Sequence, residues 1–207
     1  MIPIGDDPSS RKKFPLFTYL LFAANLVVFY QQLTRGQAFI ERWALIPNRF
    51  LADPVHDFTT LFTAVFLHGG WFHLAGNMIY LLVFSNKVEA RFGHLKFIVF
   101  YLIAGFMANL IQMTFTLESG IPIVGASGAI AGILGAYLVM FPKNKIKIFV
   151  TFFVIKLPAL IAIGIWFIIQ FFNGLASISE TAQTGGIAYM AHVGGFLVGF
   201  ILTFFIK

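Results

Sequence analysis

Along the chain, long apolar runs alternate with short polar breaks. Six runs approach the roughly 20 helical residues needed to cross a hydrocarbon core about 30 Å thick. They are Phe14 to Leu33, Trp71 to Val88, Leu95 to Phe115, Gly125 to Phe141, Leu157 to Phe172 and Ile187 to Ile206. The breaks carry the charges: Arg11, Lys12 and Lys13 before the first run, Glu89, Arg91 and Lys96 after the second, and Lys143, Lys145 and Lys147 after the fourth. Between the first two runs, residues 34–57 form a mixed-charge loop interleaved with Trp43, Leu45, Ile46, Phe50 and Leu51, a pattern that predicts an ordered loop packed on the membrane interface. Phe58 to Leu67 is a short apolar approach, and Gly69-Gly70 marks a turn. The pattern predicts an all-α membrane protein with six transmembrane helices. Residues 1–13 are a short N-terminal segment and residues 14–207 a single membrane domain, because no polar stretch is long enough to fold separately.

Composition agrees. Charged residues make up 11% of the chain, against about 25% in soluble domains. The formal charge of +6 does not point to nucleic acid, because the cations flank apolar runs. Of the 14 Lys and Arg, eleven fall before span 1, between spans 2 and 3, between 4 and 5, and after 6; the other three, Arg35, Arg42 and Arg49, lie in the first opposite loop. The cation-rich side is cytoplasmic, so both termini are expected inside. Without cysteine there are no disulfides and no thiol chemistry. The first run has no small-residue cleavage signature and reads as a retained span. The short basic N-terminus, lacking a transit-peptide pattern, predicts a prokaryotic inner or plasma membrane.

Spans 2, 4 and 6 share one direction, and each begins at the outer face. Ser127 stands near the start of span 4, His192 about five residues into span 6, and His73 and Asn77 one turn apart on one face of span 2. All four fall in the outer third of the membrane. Gly128, Gly132 and Gly135 on span 4, and Ala191, Gly195 and Gly199 on span 6, form small-residue faces that allow close helix approach. Each polar residue has a bland reading. A membrane serine ordinarily bonds neighbouring backbone, and a histidine or asparagine can join helices. Their convergence at one depth points instead to chemistry. A neutral imidazole can activate a serine hydroxyl. His192 is the candidate base for Ser127, with no carboxylate in spans 4 or 6 to complete a triad. His73, the Asn77 amide and the Ser127 N–H could stabilise an oxyanion near a helix N-terminus. These parts suit acyl transfer. No His-Glu-x-x-His motif is present, no pair of mid-membrane carboxylates exists, and His68 with His73 lacks a third metal ligand.

The motifs His73-x-x-x-Asn77, Glu89-x-Arg91-Phe-Gly93, Gly125-x-Ser127-Gly128 and Ala191-His192-x-x-Gly195 follow in an order and spacing that resembles the rhomboid family of intramembrane serine proteases, over roughly residues 60–205. The resemblance implies a six-helix bundle with a short central fourth helix. It implies Ser127 as nucleophile, His192 as general base and then acid, and His73 and Asn77 as oxyanion stabilisers. It implies no metal or cofactor, single-span membrane proteins as substrates cut near the outer face, and a structural tie at Glu89 and Arg91. Two positions depart from the family pattern. Thr59-Thr60 and the reversed Arg42-Trp43 stand where many bacterial members carry Trp-Arg in the outer loop. Ala131 stands where some members stack a tyrosine on the histidine, which leaves open what positions His192. Trp166, Phe167, Phe171 and Phe172 of span 5 form either a lateral gate or a lipid-facing surface. The competing functions are a catalytically silent relative that binds membrane helices and a small transporter lined by the same polar groups.

Overall fold

In the computed structural model, residues 2–7, 14–179 and 187–206 are described. The chain order is β1 (Ile2–Asp6), α1 (Leu16–Arg35), four short helices α2 (Gln37–Trp43), α3 (Pro47–Ala52), α4 (Pro54–Asp57) and α5 (Thr60–Thr63), then α6 (Trp71–Phe92), α7 (His94–Thr114), α8 (Ser127–Met140), β2 (Lys145–Val150), β3 (Phe153–Pro158), α9 (Ala159–Ser179) and α10 (Tyr189–Ile206). By length and composition, four helices can cross a membrane: α1, α7, α9 and α10. The chain is a mostly helical, multi-pass integral membrane protein. Helix α6 is long, but its last turns carry Lys87, Glu89 and Arg91. Helix α8 has 14 residues, about 21 Å of length at 1.5 Å per residue.

Helix α8 is the axis of the bundle, buried from Gly128 to Tyr137 and packed by α6, α7, α9 and α10. Small residues make this possible. A methyl group added to Gly195 would lie 2.0 Å from the Gly128 carbonyl oxygen, and one on Gly199 would lie 2.1 Å from that of Gly132. Methyl groups on Gly128 and Gly132 would in turn lie 2.5 and 2.6 Å from the Cβ atoms of Ala108 and Ala104 of α7. The two small-residue faces read from the sequence therefore meet backbone to backbone, as expected.

The all-α expectation needs correction at one end of the bundle. Strands β1, β2 and β3 form an antiparallel sheet in that order. In it Ile2 pairs with Phe149, Asp6 with Ile146, and Lys145 with Pro158. The segment Lys-Ile-Lys-Ile-Phe-Val alternates polar and apolar residues, which is the strand period, and its Ile146 and Ile148 are buried. The sheet displaces the start of the next helix, so α9 begins at Ala159 and runs past Phe172 to Ser179. Asp6 is buried against the bundle. Its Oδ2 lies 2.9 Å from Lys87 Nζ and accepts from the Tyr137 hydroxyl at 2.8 Å. Arg11, Lys12, Lys13 and Glu180 lie outside the described residues.

Glu89, fully buried, closes the start of α1. Its Oε2 accepts from the Thr18 N–H at 2.8 Å and hydroxyl at 2.7 Å, and its Oε1 accepts from the Phe17 N–H at 2.8 Å and lies 2.6 Å from His94 Nδ1. Two otherwise unpaired helix N-terminal donors are thereby satisfied, with a negative charge at the positive end of the helix dipole. Arg91 is exposed. The structural tie expected at this motif thus falls to Glu89 and His94.

The outer loop is ordered by its own contacts. Arg49 pairs with Asp57 and donates to the carbonyls of Glu41 and Ala44. Thr63 Oγ1 donates to the Trp43 carbonyl, and Asn109 of α7 reaches the Leu61 carbonyl. Arg49, rather than Arg42, anchors the loop; Arg42 instead lies over the Trp43 ring.

Candidate active site

The segment before α8 carries the geometry of the site. The Gly125 N–H donates to the Ala64 carbonyl at 2.9 Å, and Ile123 donates to the Leu45 carbonyl at 2.8 Å. The segment entering α8 is thus stitched to the outer loop. Gly125 has φ +127, a conformation that L side chains rarely adopt. A methyl group there would meet His73 Cε1 at 2.7 Å, His73 Nε2 at 2.8 Å and Ser127 Oγ at 3.6 Å. The His73 ring and the Ser127 hydroxyl therefore flank the same glycine. Ser127 opens the first turn of α8, half-buried, where the helix N-terminus favours developing negative charge.

His73 has a defined tautomer. The Gly69 N–H donates to its Nδ1 at 3.3 Å, so the neutral ring carries its proton on Nε2, the nitrogen beside Gly125. One turn on, Asn77 is buried, and its Nδ2 has no protein partner among the described residues. An amide donor left open in a buried position costs stability unless something accepts from it.

His192 approaches from α10. Gly128 packs against Ala191, the residue before it, with a methyl on Gly128 falling 3.5 Å from the Ala191 carbonyl. Among the described residues, Ser127 Oγ makes no hydrogen bond. Ser127 and His192 thus stand at one helix interface, with no hydrogen bond between their side chains.

The sequence reading missed the residues that hold His192. Gln170 Oε1 of α9 lies 2.7 Å from His192 Nδ1. The rings of Trp166 and Tyr189 lie 6.1 and 6.3 Å from the imidazole. Gln112 of α7 accepts from the Ala191 N–H at 3.1 Å and fixes the first turn of α10. Ala131, at the position of the family's stacking tyrosine, is buried in the α8 core. Gln170 had a signal: it is the one amide side chain in the run Leu157 to Phe172, and polar groups in such runs are costly and ordinarily have a partner.

An apolar cleft runs between α6 and α9, walled by Tyr80 and Phe84 on one side and by Ala162, Ile163, Trp166 and Ile169 on the other. Leu134 of α8 and, from the sheet, Pro3, Ile146 and Ile148 complete its lining, and the Trp166 ring lies 6.1 Å from the His192 imidazole. The span 5 aromatics divide. Trp166 and Phe167 face α10, with Phe167 4.5 Å from the Phe196 ring, whereas Phe172 is 63% exposed.

In the turn before α6, Gln32 of α1 brackets His68, donating to its carbonyl and accepting from its N–H at 2.9 Å each. The His68 ring meets His73 edge to face at 5.2 Å. Burial, and secondarily the nearby His73 ring, push the His68 imidazole down to about 4.

A family model described as the Rhomboid domain matches residues 55–207. RHOMBOID-like protein 1 of Arabidopsis thaliana is 34% identical over 149 residues, covering 72% of this chain and 34% of that protein. Rhomboid protease GluP of Bacillus subtilis is 30% identical over 190 residues, covering 90% of this chain and 34% of its own length. Rhomboid protein 1, mitochondrial, of Saccharomyces cerevisiae is 27% identical over 199 residues, 91% of this chain and 53% of that protein. The chain spans at most about half the length of these curated relatives.

Proposed function

This chain belongs to the rhomboid family, and we propose that it is an intramembrane serine endopeptidase acting on transmembrane-helix proteins through a Ser127–His192 dyad. The observation that carries this reading is the arrangement around Gly125 and Gly128. The Ser127 hydroxyl stands beside an Nε2-protonated His73, at a helix N-terminus pressed against the residue before His192. We read α6 and α8 as membrane spans beside the four longer apolar helices, which gives six spans with the short α8 at the centre. Both termini are then cytoplasmic, in accord with the Lys and Arg bias. The host membrane we propose is a prokaryotic inner membrane, on the short basic N-terminus; the relatives also include proteins named as mitochondrial, from Arabidopsis thaliana and Saccharomyces cerevisiae.

In the proposed reaction His192 Nε2 takes the proton from Ser127 Oγ as Oγ bonds to the scissile carbonyl carbon. The carbonyl π pair moves to oxygen. His73 Nε2–H, the open Asn77 Nδ2–H and the Ser127 N–H receive the oxyanion, donors already set before charge develops. Collapse breaks the C–N bond, and the leaving amine takes the proton from Nε2. Water, deprotonated by the same nitrogen, then adds to the acyl carbon; collapse breaks the Oγ–C bond, releases the acid, and Ser127 Oγ takes the proton back from Nε2. Helical substrate amides are shielded by their own hydrogen bonds, so a segment must unwind into a polar site that lipid would not supply. The cleft between α6 and α9 is the proposed lateral approach.

The test is labelling of the purified protein with a serine-directed fluorophosphonate, beside Ser127→Ala and His192→Ala. The expected result is labelling of the wild type and loss in both variants. A folded wild type that stays unlabelled would favour a helix-binding relative without catalytic activity.

A further inference from the structure

We infer that Gln170 is the positioning residue of the dyad, the third member whose place a carboxylate would otherwise take. This rests on the protease reading above. An amide oxygen only accepts, so the 2.7 Å contact between Gln170 Oε1 and His192 Nδ1 requires the proton of the neutral imidazole to be on Nδ1. That leaves the Nε2 lone pair free as the base. The opposite tautomer would place a proton on Nε2 and have nothing with which to accept one from Ser127. After proton transfer, the imidazolium still donates from Nδ1 to the same oxygen, so the bond persists and gains charge assistance.

Three further observations support the assignment. Spans 4 and 6 carry no Asp or Glu, and Ala131 provides no aromatic stack, so neither usual support for the imidazole is present. Trp166, one turn before Gln170, lies 6.1 Å from the same imidazole, and Tyr189 closes another side; the ring plane is therefore bounded while Gln170 fixes its rotation. Gln170 also lies on α9, the least buried of the four apolar spans, with 17% of its apolar window buried against 44% for α10. The imidazole thus rides on a well-packed helix and its acceptor on a lipid-exposed one.

The experiment compares wild type, Gln170→Leu and Gln170→Glu in detergent. Fluorophosphonate labelling rates are read together with the ¹⁵N chemical shifts of the His192 ring nitrogens. The expected result is Nδ1 protonation in wild type and in Gln170→Glu, loss of that preference in Gln170→Leu, and a labelling rate in Gln170→Leu lower by about tenfold, the rate equivalent of one neutral hydrogen bond. Gln170→Glu, which keeps an acceptor, stays within about threefold of wild type on the same scale. Unchanged labelling in Gln170→Leu, or an Nε2-protonated His192 in the wild type, would overturn the inference while leaving the protease reading intact. Labelling lost equally in both variants, with the wild-type tautomer retained, would also overturn it and reduce Gln170 to a packing role. Wild type that stays unlabelled while holding an Nδ1 proton would remove the protease reading and the catalytic part of this inference together.

Discussion

Gly125 and His73 leave no room for a side chain between them: a methyl group on the glycine would sit 2.7 Å from the imidazole Cε1, closer than real contacts allow. The positive φ of Gly125 adds strain for any L residue, of order 1–3 kcal/mol. Gly125→Ala is therefore expected to push the His73 ring aside and lower the rate of serine labelling by about tenfold or more, the equivalent of weakening one oxyanion donor. The thermal midpoint should fall only modestly. Unchanged labelling in a folded variant would mean that His73 takes no part in the chemistry.

The α8–α10 contact gives a sharper stability test. Gly195→Ala and Gly199→Ala both drive a methyl into opposing backbone, and each should cost about 3 kcal/mol or more, since backbone rather than a flexible side chain must move. Gly164→Ala on α9 meets nothing within 4 Å and should be neutral or stabilise by about 0.5–1 kcal/mol. Unfolding in mixed micelles reads all three. Equal effects at the three sites would contradict the packing described.

Glu89 offers a separation of stability from catalysis. Glu89→Ala orphans the Phe17 and Thr18 N–H groups and empties a buried site, with an expected loss of about 3 kcal/mol. Folded molecules should still label at Ser127 at a rate near that of wild type. A large drop in rate at constant folded fraction would show that the far end of the bundle controls the site.

His68 sits in the turn before α6, buried, with its imidazole lowered to about 4. The unfolded value is about 6.5, so between the two the unfolded chain binds more protons and stability rises with pH. The contribution is complete above about pH 6.5 and is lost as pH falls towards 4, amounting to roughly 3 kcal/mol over the window. Unfolding midpoints from pH 7.5 to 4 should fall in wild type, and the fall should be shallower in His68→Gln. Parallel curves would remove this role.

The sequence was most legible where one residue type does one job. Glycines 128, 132, 195 and 199 announced a close helix contact because nothing larger fits there. Ser127, His73 and Asn77 could be set at one depth from rise per residue alone. Two things were hidden. Lys145 and Lys147 have one role as topology markers and another as the outward residues of a strand, and the charge reading masked the alternation. Gln170 stands 22 positions before the histidine it contacts, a pairing fixed by how α9 leans on α10, which no local periodicity expresses.

The first strand has its partners far downstream. Asp6 bonds the Tyr137 hydroxyl across 131 positions, and Ile2 pairs with Phe149. As the chain leaves the ribosome, β1 emerges well before these partners, meeting Tyr137 only after α8 and Phe149 only after β2 have been synthesised. Long-range pairings of this kind close late. Assembly therefore has a fixed sequence of events, with the amino-terminal strand held in waiting and its docking reporting that the helix bearing Ser127 has arrived. Lys87 of α6 already offers the Asp6 carboxylate an ion-pair partner, and the later arrival of α8 and β2 completes the buried seat of that pair.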